Sequence, residues 1–324
     1  MQYGSMFNEY AIATSQLTKR YDRAIAVNEV DLRVKPGEIY GLMGINGAGK
    51  TSLVKMLAGI EIPTKGEIHY HGDRLLNDRN NRIKRYLGYL PDNYPVYEDL
   101  TVWDYLDYFG RLYQISPRRR RVRICEVLDI VSLEEKHNSL IPTLSRGMKQ
   151  RLSLARAIIH EPTVLILDEP VSGLDTLARQ QFNLIIRSLQ EAGMTILIAS
   201  PILRDLTELC TTIGVMDRGF LIDTMTMQQL KEYQATQQII VSTLGELKDL
   251  KQALETQELV THWEKLPEKN ALKVSFVGTE ADSAKLLRFL VTSQLPIIEF
   301  NYTQEDWETI ILNRRQGITH ENRI

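Results

Sequence analysis

The run Gly44-Ile45-Asn46-Gly47-Ala48-Gly49-Lys50-Thr51 limits what this chain can fold into more than any other feature. It fits Gly-x4-Gly-Lys-[Ser/Thr], a pattern that average composition produces by chance in about one chain of this length in 100. Glu38 to Met43 before it read as a short buried strand. Leu53, Met56, Leu57 and Ile60 after it keep helical spacing. The order is therefore strand, glycine-rich loop, helix. Glycines let the backbone curl until successive N–H groups converge on phosphate oxygens. The helix start adds the positive end of its dipole. Lys50 brings a point charge to the β- and γ-phosphates, and the Thr51 hydroxyl suits Mg²⁺.

A second run completes that chemistry. Val164-Leu165-Ile166-Leu167 is continuously apolar, the pattern of a strand buried on both faces, and it ends in Asp168-Glu169-Pro170. Asp168 then lies at the C-terminal edge of a strand, beside the phosphate loop, where it would hold Mg²⁺ through water. Glu169 would polarise an attacking water as general base. Alone, the run also describes an ordinary strand end with solvated acids; the phosphate loop is what gives it a reaction.

Charge and composition remove other classes. Lys and Arg total 39 against 41 Asp and Glu, a net charge of −2, so no basic excess marks a nucleic-acid partner. Hydrophobic residues are 43% and charged residues 25%, which predicts an ordinary folded protein rather than a disordered or fibrous one. A spanning helix needs roughly 20 apolar residues in a row, and the runs here are far shorter. Residues 1–20 carry no signal-peptide core. Two cysteines, Cys125 and Cys210, make no disulfide framework and suit a reducing cytosol. Each is expected to act as a small buried hydrophobe.

The start of the chain, to about Ala11, reads as loose and polar. Partial alternation over 24–34 predicts a strand. Trp103, Leu106, Phe109 and Tyr113, then Ile124 to Val131 and Leu152 to Ile159, predict an α-helical insert over about 93–160. A helix over about 176–192 separates Val164–Leu167 from a second apolar strand, Thr195–Ala199. Strands alternating with helices predict an α/β core with a mostly parallel sheet. Near residue 235 the texture changes, around Gln234, Gln237 and Gln238, after a helix expected at 226–233. Beyond it the pattern predicts strand 239–243, helix 245–255, strands 259–266 and 271–277, helix 280–293, strand 297–302 and helix 304–313. That β-α-β-β-α-β order predicts a small α+β accessory domain over 236–313, with a ferredoxin-like sandwich as its form. Asn313 to Ile324 read as a loose tail.

Leu144-Ser145-Arg146-Gly147-Met148-Lys149-Gln150-Arg151 stands between the two halves of the phosphate site, ahead of a helix. It resembles the signature of the ATP-binding-cassette (ABC) ATPases, in the form common in exporters of the ABC-2 type, whose membrane protein is a separate chain. Leu87-Gly88-Tyr89-Leu90-Pro91-Asp92 resembles the family loop that usually ends in Gln or Glu. Ser172-Gly173-Leu174-Asp175 resembles its D-loop. Tyr21 stands where the family stacks an aromatic ring on adenine.

The resemblance covers about residues 12–225. It implies a P-loop NTPase cassette over 12–228, with an antiparallel β subdomain and a helical insert added to the mostly parallel sheet. It implies ATP and Mg²⁺ as cofactors. Nucleotide contacts fall on Tyr21, Val27, Gly44, Asn46, Gly47, Ala48, Gly49, Lys50, Thr51, Ser52, Ser145 and Gly147. Metal contacts fall on Thr51, Asp168 and Asp92, and catalytic roles on Glu169, Lys50 and Asp92. It further implies a head-to-tail pair of cassettes, homomeric or heteromeric, in which each phosphate loop faces the other subunit's signature. Ser145, the Gly147 N–H and the following helix start would then face the γ-phosphate. The implied partner is a separate transmembrane permease, and the implied place is peripheral, on the cytoplasmic face of the membrane.

Two departures bear on rate. Asp92 is one methylene shorter than Glu. Pro201, in Ala199-Ser200-Pro201-Ile202-Leu203, occupies the position of a switch His that contacts the γ-phosphate. Proline offers neither a side-chain donor nor an N–H. Losing such a contact costs about 10²–10³ in rate. The expectation is a weakened transport-coupled ATPase, with an ATP-binding regulatory subunit as the alternative. Cassettes that work on ribosomes resemble two cassettes in tandem, and a DNA-repair cassette would carry a long coiled coil. This chain has one cassette motif set and no heptad run.

The dense run Pro117-Arg118-Arg119-Arg120-Arg121-Val122-Arg123 reads as a solvated helix start rather than a lipid or nucleic-acid contact. Trp103, Tyr105, Tyr108, Phe109 and Tyr113 read mainly as core, although the family resemblance puts a membrane-partner groove near Tyr94, Val96, Tyr97 and Trp103. The six histidines show no zinc spacing.

Overall fold

The computed structural model describes residues 7–22, 24–75, 83–92, 97, 99–230, 236–266 and 269–303. The chain forms two compact units, Met1–Thr226 and Met227–Ile324.

The first unit holds two sheets. One is mostly parallel, in the order β11-β10-β4-β9-β8-β7. Its members are β4 (Ile39–Met43), β7 (Leu87–Leu90), β8 (Val164–Asp168), β9 (Thr195–Ser200), β10 (Thr212–Asp217) and β11 (Phe220–Thr226). β4, β8 and β9 are buried along their whole length. This explains their unbroken apolar sequences: a parallel central strand is covered on both faces. Each fully buried Leu or Ile there contributes about 1.5–3 kcal/mol. β11 returns antiparallel to β10. The other sheet is antiparallel, β2-β1-β5-β6 with β3 also on β1. It comprises β1 (Ile12–Tyr21), β2 (Ala24–Val30), β3 (Arg33–Val34), β5 (Lys65–Tyr70) and β6 (Asp73–Arg74). The strand expected over 24–34 is thus two strands, broken at Asp31-Leu32.

Helix α1 (Lys50–Leu57) follows the phosphate loop and packs Leu53, Val54, Met56 and Leu57 into the core shared with Leu42, Ile166 and Leu197. Three helices lie within the expected insert: α2 (Val102–Leu112), α3 (Pro117–Ile130) and α4 (Arg146–Ile158). The Thr101 side chain accepts from Asp104 N to cap α2, and Pro117 opens α3, where its missing N–H costs nothing. α5 (Thr176–Glu191) and α6 (Leu203–Thr207) complete the unit. Among the described residues no helix is long and apolar enough to cross a membrane.

Four expectations change. Phe7 is buried and stacked on His69 at 4.4 Å, so packing begins before Ala11, although Asn8 and Glu9 are exposed. The helix expected at 226–233 is present but begins one residue later, at Met227, because β11 runs to Thr226. Cys210 is buried but Cys125 is exposed on α3. The basic run is not a solvated face throughout: Arg120 pairs with Asp107, and Arg119 with Glu126 and Glu161. Arg123 donates to the Ile158 and Ile159 carbonyls. These arginines bind α3 to α2 and to the end of α4.

The second unit runs β12 (Thr236–Thr243), helix Leu247–Glu255, β13 (Val260–Lys265), β14 (Ala271–Val277), helix Glu280–Thr292 and β15 (Ile297–Thr303). Its four strands are antiparallel in the order β13-β14-β12-β15. Ile239, Val241, Leu272, Val274 and Phe276 on the sheet meet Leu250, Leu254, Leu286 and Leu290 on the two helices. Thr279 and Asp282 close a capping box at the second helix. The expected helix 304–313, the tail, Tyr94 and Val96 lie outside the described residues.

Candidate active site

The phosphate loop leaves β4 at Met43 and enters α1 at Lys50. Gly49 is the α1 N-cap, with φ +103°, and a Cβ there would lie 2.1 Å from the Ala26 carbonyl oxygen. No other residue fits that turn. The turn between β10 and β11 grips the loop from outside, because Gly219 N donates to Ala48 O at 2.9 Å and Asn28 N donates to Gly219 O at 2.8 Å. The loop is therefore gripped by backbone hydrogen bonds from this turn.

Lys50 is 4% exposed. Its ammonium donates to Gly44 O at 2.8 Å and Ile45 O at 3.3 Å. Burial lowers its pKa, while the carboxylates of Glu169 and Asp168 pull it back up. Asp168 closes β8 at 1% exposure. Burial pushes its carboxyl up to about 6, against a hydrogen bond from Thr51; Glu169 and Asp92 push the same way as burial and Lys50 opposes. Asp168 Oδ1 is buried without a hydrogen-bond partner among the described residues. A buried carboxylate oxygen left unpaired is costly. With the Thr51 hydroxyl on the same carboxylate, the donor set is all oxygen, which suits Mg²⁺.

Glu169 sits just past the strand at φ +47°, with its N–H held by the Ala199 carbonyl at 2.9 Å. The strained turn is fixed from the neighbouring strand. Asp92 is exposed after β7, and its charge is felt at Asp168. Lys50, Thr51, Asp168, Glu169 and Asp92 thus gather at the C-terminal ends of β4, β8 and β7, where ligands bind in open α/β sheets.

The remaining expected residues are distributed as follows. Asn46 and Gly47 are exposed at the loop tip, and Ala48 is buried. Val27 is fully buried in the core. The Tyr21 hydroxyl bonds Glu61 and lies 3.5 Å from Ser52 Oγ. Ser145 and Gly147 stand at the start of α4. Ser145 Oγ accepts from Met148 N at 3.3 Å, and a Cβ on Gly147 would come within 2.8 Å of Ala178 Cβ on α5. Gln150 Nε2 donates to Pro170 O at 2.6 Å and so ties α4 to the residue after Glu169. Asp175 caps α5 through Ala178 N.

The structure adds a network that sequence reasoning passed over. Ser200 is buried, and its Oγ donates to Asp205 Oδ2 at 3.2 Å; Asp205 also pairs with Arg179 of α5 at 3.0 Å. The loop at Pro201 is therefore anchored to the helix that Asp175 caps. An acid in the first turn of a helix right after the apolar strand was the available signal.

The sequence profile of the family described as ABC transporter matches residues 27–172. An uncharacterized ABC transporter ATP-binding protein of Synechocystis is 39% identical over 65% of this chain, which spans 61% of that protein. The uncharacterized ABC transporter ATP-binding protein YcbN of Bacillus subtilis is 35% identical over 94% of this chain and 97% of its own length. The bacitracin transport ATP-binding protein BcrA of Bacillus licheniformis is 36% identical over 68% of this chain and 71% of its own. A solved structure described as the ATP binding subunit of an ABC transporter superposes with a TM-score of 0.62 at 28% identity, over 69% of this chain and 92% of that one.

Proposed function

The chain belongs to the ABC transporter ATP-binding proteins, and from that premise we propose that it hydrolyses ATP to drive export through a separate transmembrane permease. The observation that carries the reading is the convergence of Lys50, Thr51, Asp168 and Glu169 at one sheet end, with Thr51 bonded to Asp168 and one Asp168 oxygen unpaired. Mg²⁺, when bound, would neutralise phosphate charge there. Backbone N–H groups of residues 47–51 and the α1 dipole bind the phosphates. Lys50 exchanges its loop carbonyls for phosphate oxygens. Glu169 takes the proton of the attacking water.

Ser145 caps α4 and Gly147 lies in its first turn, and they serve the ATP of a second cassette in a head-to-tail pair, homomeric or heteromeric. ATP binding closes the pair and hydrolysis opens it, at the cytoplasmic face of the membrane. Residues 236–303 form a ferredoxin-like accessory domain. The likeness to BcrA, a bacitracin transport protein, supports the direction of transport.

Pro201 supports a second reading, an ATP-binding regulatory subunit with little hydrolysis. Ser200 next to it is turned inward to Asp205. A steady-state ATPase assay of the purified chain, with Glu169→Gln as baseline, separates the two. Turnover clearly above the baseline supports hydrolysis; turnover at the baseline, with ATP still bound, supports regulation.

A further inference from the structure

Tyr21, 40% exposed at the end of β1, is tied down from three directions. Its hydroxyl donates to Glu61 Oε2 and reaches Ser52 Oγ, in the first turn of α1, at 3.5 Å. Lys19 Nζ lies 5.0 Å from the ring centroid, a cation over one face. That same ammonium pairs with Glu61 at 3.3 Å and donates to Ile62 O at 2.9 Å. Lys55 adds a second cation to Glu61 at 3.9 Å. Surface ion pairs contribute little when both partners swing in water. Here the side chains of Lys19 and Glu61 are only 15% and 22% exposed, and Lys19 is also bonded to backbone.

We propose that Lys19 and Glu61 are positioning residues that lock the Tyr21 ring as a one-sided shelf for the nucleobase. The proposal rests on the reading that Tyr21 stacks the base. An exposed aromatic side chain loses rotamer freedom when a ligand stacks on it, and ordering it beforehand removes that cost. Glu61 fixes the ring through its hydroxyl. Lys19 occupies one face, so a base can approach only from the other, and its charge draws the ring's electrons to the occupied side. Glu61 already has two cations, so the phenol is not needed to satisfy it. The tether acts on the tyrosine.

The test compares binding of Mg-ATP with binding of Mg-tripolyphosphate, which has no base, by calorimetry on the full chain. The ratio of the two affinities reads the nucleoside, base and ribose together, and its change between variants reads the shelf. Tyr21→Ala should lower the ratio more than any other single variant; if it leaves the ratio at the wild-type value, the shelf reading itself fails. Glu61→Ala, Lys19→Ala and Tyr21→Phe should each lower the ratio by about two- to tenfold, as expected for one released side chain. Tripolyphosphate affinity should not change. Tyr21→Phe with Glu61→Ala should lose no more than either alone, because both cut one tether. Glu61→Gln keeps the acceptor and should restore most of the ratio. If Tyr21→Ala collapses the ratio while Glu61→Ala and Tyr21→Phe do not, the shelf stands and the clamp is overturned. Equal losses for ATP and tripolyphosphate would also overturn it.

Discussion

The Lys50 ammonium is hydrogen-bonded to the Gly44 carbonyl at 2.8 Å, so the lysine proposed to bind phosphate is folded onto the first residue of its own loop. The loop has a second hold besides that bond, since Gly219 N donates to the Ala48 carbonyl. Lys50→Ala should therefore fold normally and lose ATP affinity by roughly ten- to hundredfold, the worth of a charge-assisted hydrogen bond to phosphate. Calorimetric titration with Mg-ATP checks this, and an unchanged dissociation constant would move the phosphate site elsewhere.

Glu169→Gln should trap a closed pair. Gln has the same shape, so the φ +47° turn and its bond to Ala199 are kept while the base is lost. Size-exclusion chromatography with Mg-ATP should show a dimer for the variant, and less of it for the wild type. If both elute as monomers at high protein and ATP, head-to-tail closure by this chain alone is refuted.

The placement of Lys50, Thr51, Asp168 and Glu169 at the sheet end was legible because local chemistry dictates it. A backbone that must curl needs Gly47 and Gly49, and a strand buried on both faces must read like Val164–Leu167. The antiparallel pairings were not legible. Ile12 pairs with Tyr70 and Thr212 with Thr226, and nothing local in those strands names the partner. The arginine run misled for the same reason: Asp107 and Glu161, which pair with it, lie outside the run. Ser200–Asp205–Arg179 joins three segments, and Arg179 lies far in sequence from the loop at Pro201 that the network supports.

His160 sets a pH dependence. Its ring stacks on Tyr113 at 3.9 Å, and Nε2 donates to Leu87 O at 2.9 Å. Burial is the main reason its pKa falls to about 4 from 6.5. The unfolded chain therefore takes up the proton first, and stability is lost as pH falls from 6.5 towards 4. The loss from this group is at most about 3 kcal/mol. His160→Gln keeps a donor for Leu87 and does not titrate. Urea unfolding from pH 7.5 to 4.5 should show a shallower decline for the variant; parallel curves would clear His160 of the effect.

Pro201 sits between Ser200, whose hydroxyl donates to Asp205, and Ile202, whose N–H donates back to Ser200 Oγ at 3.1 Å. The loop is braced on both sides of the proline, so Pro201→His adds a donor without removing a bond that holds the loop. If the missing γ-phosphate contact limits turnover, kcat should rise by roughly tenfold or more, with ATP affinity nearly unchanged, because the new donor acts mainly on the transition state. The gain should stay below the 10²–10³ of a well-placed donor, since the neighbours are not tuned to it. Proline holds φ near −65°, and relief of that restriction gives the new side chain some freedom to miss. Ser200→Ala is the companion variant. It cuts the brace to Asp205, so it should lower kcat only if the loop's position matters to hydrolysis. No gain from Pro201→His, with a wild-type rate equal to that of ordinary cassette ATPases and a loss in Ser200→Ala, would assign the switch role to Ser200 and its network instead.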